Sequence, residues 1–155
     1  MDIKNEKQIL TAKVLTNIME AESFEQYYTT NKEVFNAPSL KQHLADLLSN
    51  KEISLARLFR DLDIEKNLGY HIFSGKRNLT RDNALKLALG LSLTIDETQR
   101  LLLISENSEL YAKIPRDAAV LYSLCHNLGY RETQNTLYNL EINILGENVS
   151  ADTNK

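Results

Sequence analysis

Two adjacent cations follow Ser74-Gly75 in the stretch 70-YHIFSGKRNLTRD-82. A glycine followed by Lys76-Arg77 can grip phosphate, either on a nucleotide or on a nucleic-acid backbone. The nucleotide version fails on spacing. A P-loop needs a glycine five positions before its Gly-Lys and a Ser or Thr after it, and those positions hold Tyr70 and Arg77. Other chemistry is equally thin. His43, His71 and His126 lack metal-site spacing, and neither a carboxylate pair nor a glycine-rich cofactor loop is evident. Cys125 and His126 are sequence neighbours, and adjacent helical residues point about 100° apart, the wrong geometry for a nucleophile and its base. Cys125 therefore reads as a small buried hydrophobe. The expectation is a non-enzyme with no catalytic residue, no metal and no cofactor.

The elements that would position the loop are helical. Few breakers (5 Gly and 2 Pro in 155 residues) stand among plentiful Leu, Ala, Lys and Glu. Residues 6–28 carry Ile9, Leu10, Val14, Ile18 and Ala21 at helical spacing and read as one amphipathic helix. Phe24, Tyr27, Tyr28 and Phe35 follow as an aromatic cluster, and Pro38 ends the pattern. Ser39 with Gln42 restarts it as a capping box. Three short helices are then expected, at 39–51, 54–62 and 65–74. Asp63 stands at a tight turn, where Asp tolerates left-handed backbone, and Gly75 is the stop of the third helix. Further helices begin at Thr80, at Thr94 with Glu97, at Pro115 and just after Gly129.

The last four helices contain an internal relation. 80-TRDNALKLALGLSLTIDETQRLLLIS-105 lies over 115-PRDAAVLYSLCHNLGYRETQNTLYNL-140 without a gap, at a fixed offset of 35 residues. Arg-Asp, Ala, Leu and Glu-Thr-Gln coincide. The two segments read as stacked helical hairpins, the Arg-Asp of each explained by local ion pairing and helix-end charge, and the Glu-Thr-Gln by capping.

Composition bounds the rest. At 43% hydrophobic and 25% charged residues the chain is an ordinary globular sequence. One cysteine, no long apolar run and no signal-peptide pattern make the cytoplasm the expected compartment, with no membrane association. The net charge of −3 hides an asymmetry. Residues 39–105 carry ten Lys/Arg against eight Asp/Glu, whereas both flanks are acidic. The expected organisation is an N-terminal helical extension (1–38), a central domain (39–105), a C-terminal hairpin (106–145) and a disordered tail (146–155).

Three short helices with a tight turn between the last two form the helix-turn-helix pattern. Residues 40–104 resemble the lambda-repressor-like, XRE-type helix-turn-helix family. The resemblance rests on Leu58, Asp63-Ile64, Ile72, Ser74 through Asn78, the core helix 84-ALKLALGLSL-93 and Asp96-Glu97. The full pattern, with its extra C-terminal helical hairpin, is similar to variants found in Gram-positive bacteria. It covers about two-thirds of the chain. It implies an all-α, five-helix DNA-binding domain and a sequence-specific transcriptional regulator whose recognition helix (65–74) enters the major groove. By position, Lys66, Asn67 and His71 would face bases, with Tyr70 and Ser74 nearby. Lys76, Arg77 and Asn78 would hold phosphates and set register. The implied partner is double-stranded operator DNA, bound as a homodimer.

Four positions depart from the family pattern. Phe59 stands for the usual Ala, Asp63 for the turn Gly, Gly69 for an apolar residue of the recognition helix, and Leu79 for a Pro. A Phe facing a Gly suggests a size swap. These departures, with the acidic flanks, also leave open a protein-interaction module on a helix-turn-helix fold that has lost DNA binding. Such a module would bind a protein partner through the tyrosine-bearing C-terminal hairpin.

Overall fold

The computed structural model describes residues 3–36 and 38–146, of which 3–11 as backbone alone. Among these residues the chain is all-α, with nine helices and no strand. None of the described helices is long and apolar enough to cross a membrane. The chain divides into two compact units, Met1–Ala37 and Pro38–Lys155. Most of the expected tail lies outside the described residues.

The first unit holds α1 (Ile3–Glu20), α2 (Phe24–Thr30) and a 3-10 turn (Lys32–Phe35). The single helix expected over 6–28 is thus two. Ser23 is extended and accepts from the Gln26 N–H at 3.1 Å, so it caps a new helix instead of continuing the old one. Phe35 closes the aromatic cluster. It meets Tyr27 edge-on at 6.1 Å and Tyr28 at 5.4 Å between centroids.

The second unit contains α3 (Leu40–Leu48), α4 (Leu55–Asp61), α5 (Lys66–Phe73), α6 (Arg81–Gly90), α7 (Ile95–Ile104), α8 (Pro115–Cys125) and α9 (Tyr130–Asn139). Side-chain caps start most of them. Ser39, Ser54 and Thr80 accept from Gln42, Arg57 and Asn83 N–H, and Thr94 with Glu97 forms a full capping box. Pro115 occupies the first turn of α8, where its missing donor costs nothing. The core is one cluster running from Leu44 on α3 through Leu58, Phe59, Leu85, Leu101 and Leu102 to Leu137 and Leu145.

The offset of 35 residues continues into three dimensions. Ser92 and Asn127 both take left-handed backbone (φ 53° and 54°), as do Glu106 and Glu141 (61° and 57°). Thr98 and Thr133 are both fully buried, and each hydroxyl donates to the carbonyl four residues back at 2.8 Å. Gln99 clamps the main chain of Leu110 through both its amide atoms, and Gln134 does the same to Leu145. The expected capping role of Glu-Thr-Gln therefore holds for Glu97 alone. The threonine is buried in the first turn of its helix, and the glutamine braces the loop that follows.

The Arg-Asp pairs are not local either. Arg81 forks onto Asp117 at 2.8 and 3.0 Å, and Arg116 forks onto Asp82 at 2.8 and 2.9 Å. Each arginine also donates to two carbonyls, Ser108 and Glu109 for Arg81, Asn143 and Ile144 for Arg116. Each aspartate accepts one further N–H, from Tyr111 at Asp117 and from Gly146 at Asp82. Each of these clasp bonds has its counterpart in the other copy, 35 residues away. The two hairpins, 80–111 and 115–146, are clasped to each other through their helix starts.

Candidate functional site

The loop and the helix before it are held from beneath. On α4, Leu58 and Phe59 turn inward, followed by buried Leu62 and Ile64. The chain reverses through Asp63 at φ 53°, with the Ile64 N–H bonded to the Phe59 carbonyl at 2.9 Å. This is the helix-ending turn normally made with glycine, here with aspartate. The turn is tied down at two points. Lys86 Nζ donates to the Asp63 carbonyl at 3.2 Å, and the Tyr130 hydroxyl donates to the Asp63 carboxylate at 3.1 Å.

Glu65 starts α5. Its carboxylate accepts from the Asn67 and Leu68 N–H groups at 3.1 and 2.8 Å. Those two bonds, Leu68 first, hold the carboxyl below its ordinary pKa. Gly69 is buried against α4, where a Cβ would come within 2.6 Å of the Phe59 ring. The size swap expected from sequence is therefore real: the aromatic ring occupies the volume of the missing side chain. Ile72, fully buried, completes the inner face.

The outer face of α5 carries Lys66, Asn67, Tyr70, His71 and Ser74, all exposed. Their spacing places them along one side of the helix. Two are partly engaged. The Tyr70 ring lies edge-on to Phe59 at 5.3 Å, and the Ser74 hydroxyl donates to the His71 carbonyl at 3.2 Å. Gly75 (φ 83°) ends the helix, with the Lys76 N–H reaching back to the His71 carbonyl at 2.8 Å. Lys76, Arg77 and Asn78 follow, all exposed, on a loop anchored at its far end by buried Leu79. The Leu79 carbonyl accepts from Asn107 at 2.9 Å. Among the described residues, Lys66, Lys76 and Arg77 form no ion pair.

Arg81 would extend that basic edge, but it is withdrawn into the clasp with Asp117. Asp61 lies beside Arg57 and Arg60 at 3.8 and 4.0 Å, in exposed pairs of small energetic weight. The base-facing and phosphate-facing candidates thus share one surface made by α5 and its following loop. No protein-family model, curated protein or solved structure matches the chain.

A second cluster went unnoticed in the sequence: Asp63, Lys86, Tyr130 and Gln134. Gln134 donates to the Tyr130 hydroxyl at 3.1 Å, and Lys86 Nζ lies 5.6 Å from the Tyr130 ring centroid. Burial lowers the Lys86 pKa against the opposing pull of Asp63 and Asp82, and burial raises that of Tyr130. One signal was available. Lys86 stands where the other copy of the repeat has apolar Leu121.

The cysteine expectation is corrected. Cys125 is exposed. Its counterpart Gly90 lies so close to Leu62 of the α4–α5 turn that a Cβ would meet its methyls at 2.8–2.9 Å. Cys125, at the same place in the second copy, is exposed.

Proposed function

We propose that the chain is a sequence-specific DNA-binding regulator that lays α5 in the major groove. The observation that carries this reading is the combination on one surface. Lys66, Asn67 and His71 stand exposed on α5, and unpaired Lys76 and Arg77 stand with Asn78 on the anchored loop at its end. Asn can pair bidentately with adenine and Lys can donate to guanine, while the loop cations neutralise phosphate and set register. The fully apolar inner face and the two ties on Asp63 make the helix a rigid platform for such contacts. Binding as a homodimer to a two-fold operator is part of the proposal.

The test is selection of bound fragments from random duplex DNA, followed by anisotropy titrations of the selected site across salt. Binding should weaken steeply with salt. Arg77→Ala should weaken binding to every sequence and reduce the salt slope by about one. Asn67→Ala should relax preference at a single base pair, at about 1–3 kcal/mol. Duplex affinity no better than that of a charge-matched control protein would overturn the reading.

A second reading has its own observation. The Glu65 carboxylate caps the end of α5 that would enter the groove, and Arg81 is turned away from the surface. Meanwhile the C-terminal hairpin exposes Tyr122, Tyr138 and Leu140. A protein-binding module using that hairpin would give no sequence-dependent DNA retention in the same selection.

A further inference from the structure

The Lys86 ammonium is the least conventional group in the molecule. Its residue is 5% exposed, at a position that is leucine in the other copy of the repeat. Among the described residues its one hydrogen-bond acceptor is the neutral Asp63 carbonyl, so two of its three donors have no acceptor. No carboxylate of the described residues lies within ion-pair distance. The nearby acids are occupied: Asp63 accepts from Tyr130, and Asp82 accepts from Arg116 and Gly146.

The ammonium lines a cleft of about 440 Å³ between the α4–α5 turn and the second hairpin, a size in the range of small-molecule sites, roughly 300–1,000 Å³. Arg131 and Asn135 are exposed on its rim, Gln134 stands half-buried in its wall, and half-buried Ile144 gives it an apolar side above core residue Leu145. A second departure from the repeat meets the first here. Gly146 replaces Tyr111 of the other copy, and a Cβ on it would stand 2.7 Å from Lys86 Nζ. Lysine for leucine puts a cation in the cleft, and Gly146, at φ 86°, leaves open the space beside it that a Cβ would take. Positions that break an otherwise consistent pattern are where function is expected to reside.

We infer that this cleft binds a small organic anion, its carboxylate or phosphate group taken by Lys86 with Arg131 at the mouth and its body lying against Ile144. The anion supplies the direct ion-pair contact that no carboxylate among the described residues makes, beyond the longer-range pull of Asp63 and Asp82, and accepts the two remaining donors. Burial lowers the Lys86 pKa, and the pull of Asp63 and Asp82 offsets only part of that cost. This inference does not depend on DNA binding, because its ligand and its readout involve no nucleic acid.

The experiment titrates the full chain, with ¹⁵N-labelled lysine and backbone, separately with benzoate and inorganic phosphate. Ionic strength is held with chloride, and the signals followed are the Lys86 ammonium and the Gln134 and Gly146 amides. Saturable shifts at millimolar concentration are expected with at least one probe, strongest with benzoate if the apolar wall contributes. Lys86→Met, which fits a position that is Leu121 in the other copy, should lower affinity at least about tenfold while retaining dispersed amide signals. Should that variant fail to fold, Arg131→Gln on the exposed rim should still weaken binding several-fold. The absence of saturable shifts with both probes overturns the inference. So do shifts that survive Lys86→Met, or those that survive Arg131→Gln where only that variant folds.

Discussion

The two copies of the hairpin share their skeleton and differ in what lies against it. The first copy shares one core with α3, α4 and α5, whereas the second, among the described residues, leaves the equivalent positions exposed. The side chains follow that difference. Leu87 is 1% exposed and its counterpart Tyr122 is 58% exposed. Leu91 and Leu101 are buried, while His126 and Thr136, at the same places in the second copy, are exposed. The arginine forks between the hairpins, the glutamine clamp within each, and buried Leu102 and Leu137 are kept, whereas Lys86 and Gly146, which meet across the seam, stand where the other copy has Leu121 and Tyr111. Two repeats are fewer than a solenoid needs to stand alone, so the first copy borrows its remaining core from the three short helices. The proposed DNA-reading helix is thus part of the layer that completes the first repeat.

The largest expected effect tests the clasp between the copies. Asp117 is 2% exposed and takes both arms of Arg81 as well as the Tyr111 N–H, while Asp82 is 25% exposed. Asp117→Ala strands a guanidinium in a buried pair and should cost about 3–5 kcal/mol in urea unfolding. Asp82→Ala should cost less, about 1.5–3 kcal/mol. Burial raises the Asp82 pKa in itself, but the Arg116 guanidinium and the Gly146 N–H outweigh it and hold the carboxyl below its ordinary value. Its stabilising share is therefore present at neutral pH and is lost as pH falls through the lowered native value. Equal losses for the two aspartates would show that the clasp is symmetric in energy as well as in geometry.

A smaller effect separates the covered face from the bare one. At Gly90 an added Cβ meets Leu62, so Gly90→Ala should cost about 1–3 kcal/mol from overpacking, against a helix-propensity gain of about 1 kcal/mol. Cys125→Ala, at the same place in the second copy, should stay within about 0.5 kcal/mol. Both are read from denaturation midpoints. A comparable loss at Cys125 would mean that something covers the second copy in solution.

Much of this arrangement was legible in the sequence because its signals are local. Ser54, Thr80, Thr94 with Glu97, and Pro115 mark helix starts by the bonds they make within one turn. Asp63 and Gly75 mark stops by the backbone they tolerate, and Phe59 against Gly69 was readable because volumes must sum. The candidate surface on α5 came from the helix-turn-helix resemblance, which assigned Lys66, Asn67 and His71 by position, and the structure adds that these side chains are exposed together with the loop residues 76–78. What was missed depends on distant neighbours. The shared offset identified Arg81 and Arg116 as equivalents, yet equivalence does not say that each would take the other's aspartate. Cys125 looked like a core residue because burial is decided by what packs on a helix, and nothing near Cys125 in the chain records that absence. Ser23 was overridden by an apolar periodicity that ran straight across it.

The cover on the first copy has a titratable member, and it gives the smallest of the expected effects. His43 on α3 is buried, and its Nε2 has no hydrogen-bond partner among the described residues. Burial lowers its pKa, aided by the Arg100 charge on α7 and opposed by Asp46 and Glu97. The native state therefore favours neutral imidazole, while the unfolded chain takes up a proton at the ordinary histidine value of about 6.5. A depressed native pKa stabilises the fold fully above the unfolded value, and that share declines as pH falls below it. Stability of the wild-type chain should thus start to fall on the acid side of about pH 6.5, before carboxylates begin to titrate. His43→Leu should flatten that limb without steepening any other, measured as urea midpoints across the acid range. The bare copy presents Asn135 where the covered one has Arg100, and no histidine among the described residues is buried against it. If His43→Leu leaves the slope unchanged, α3 is not held against the first copy as tightly as the buried ring implies.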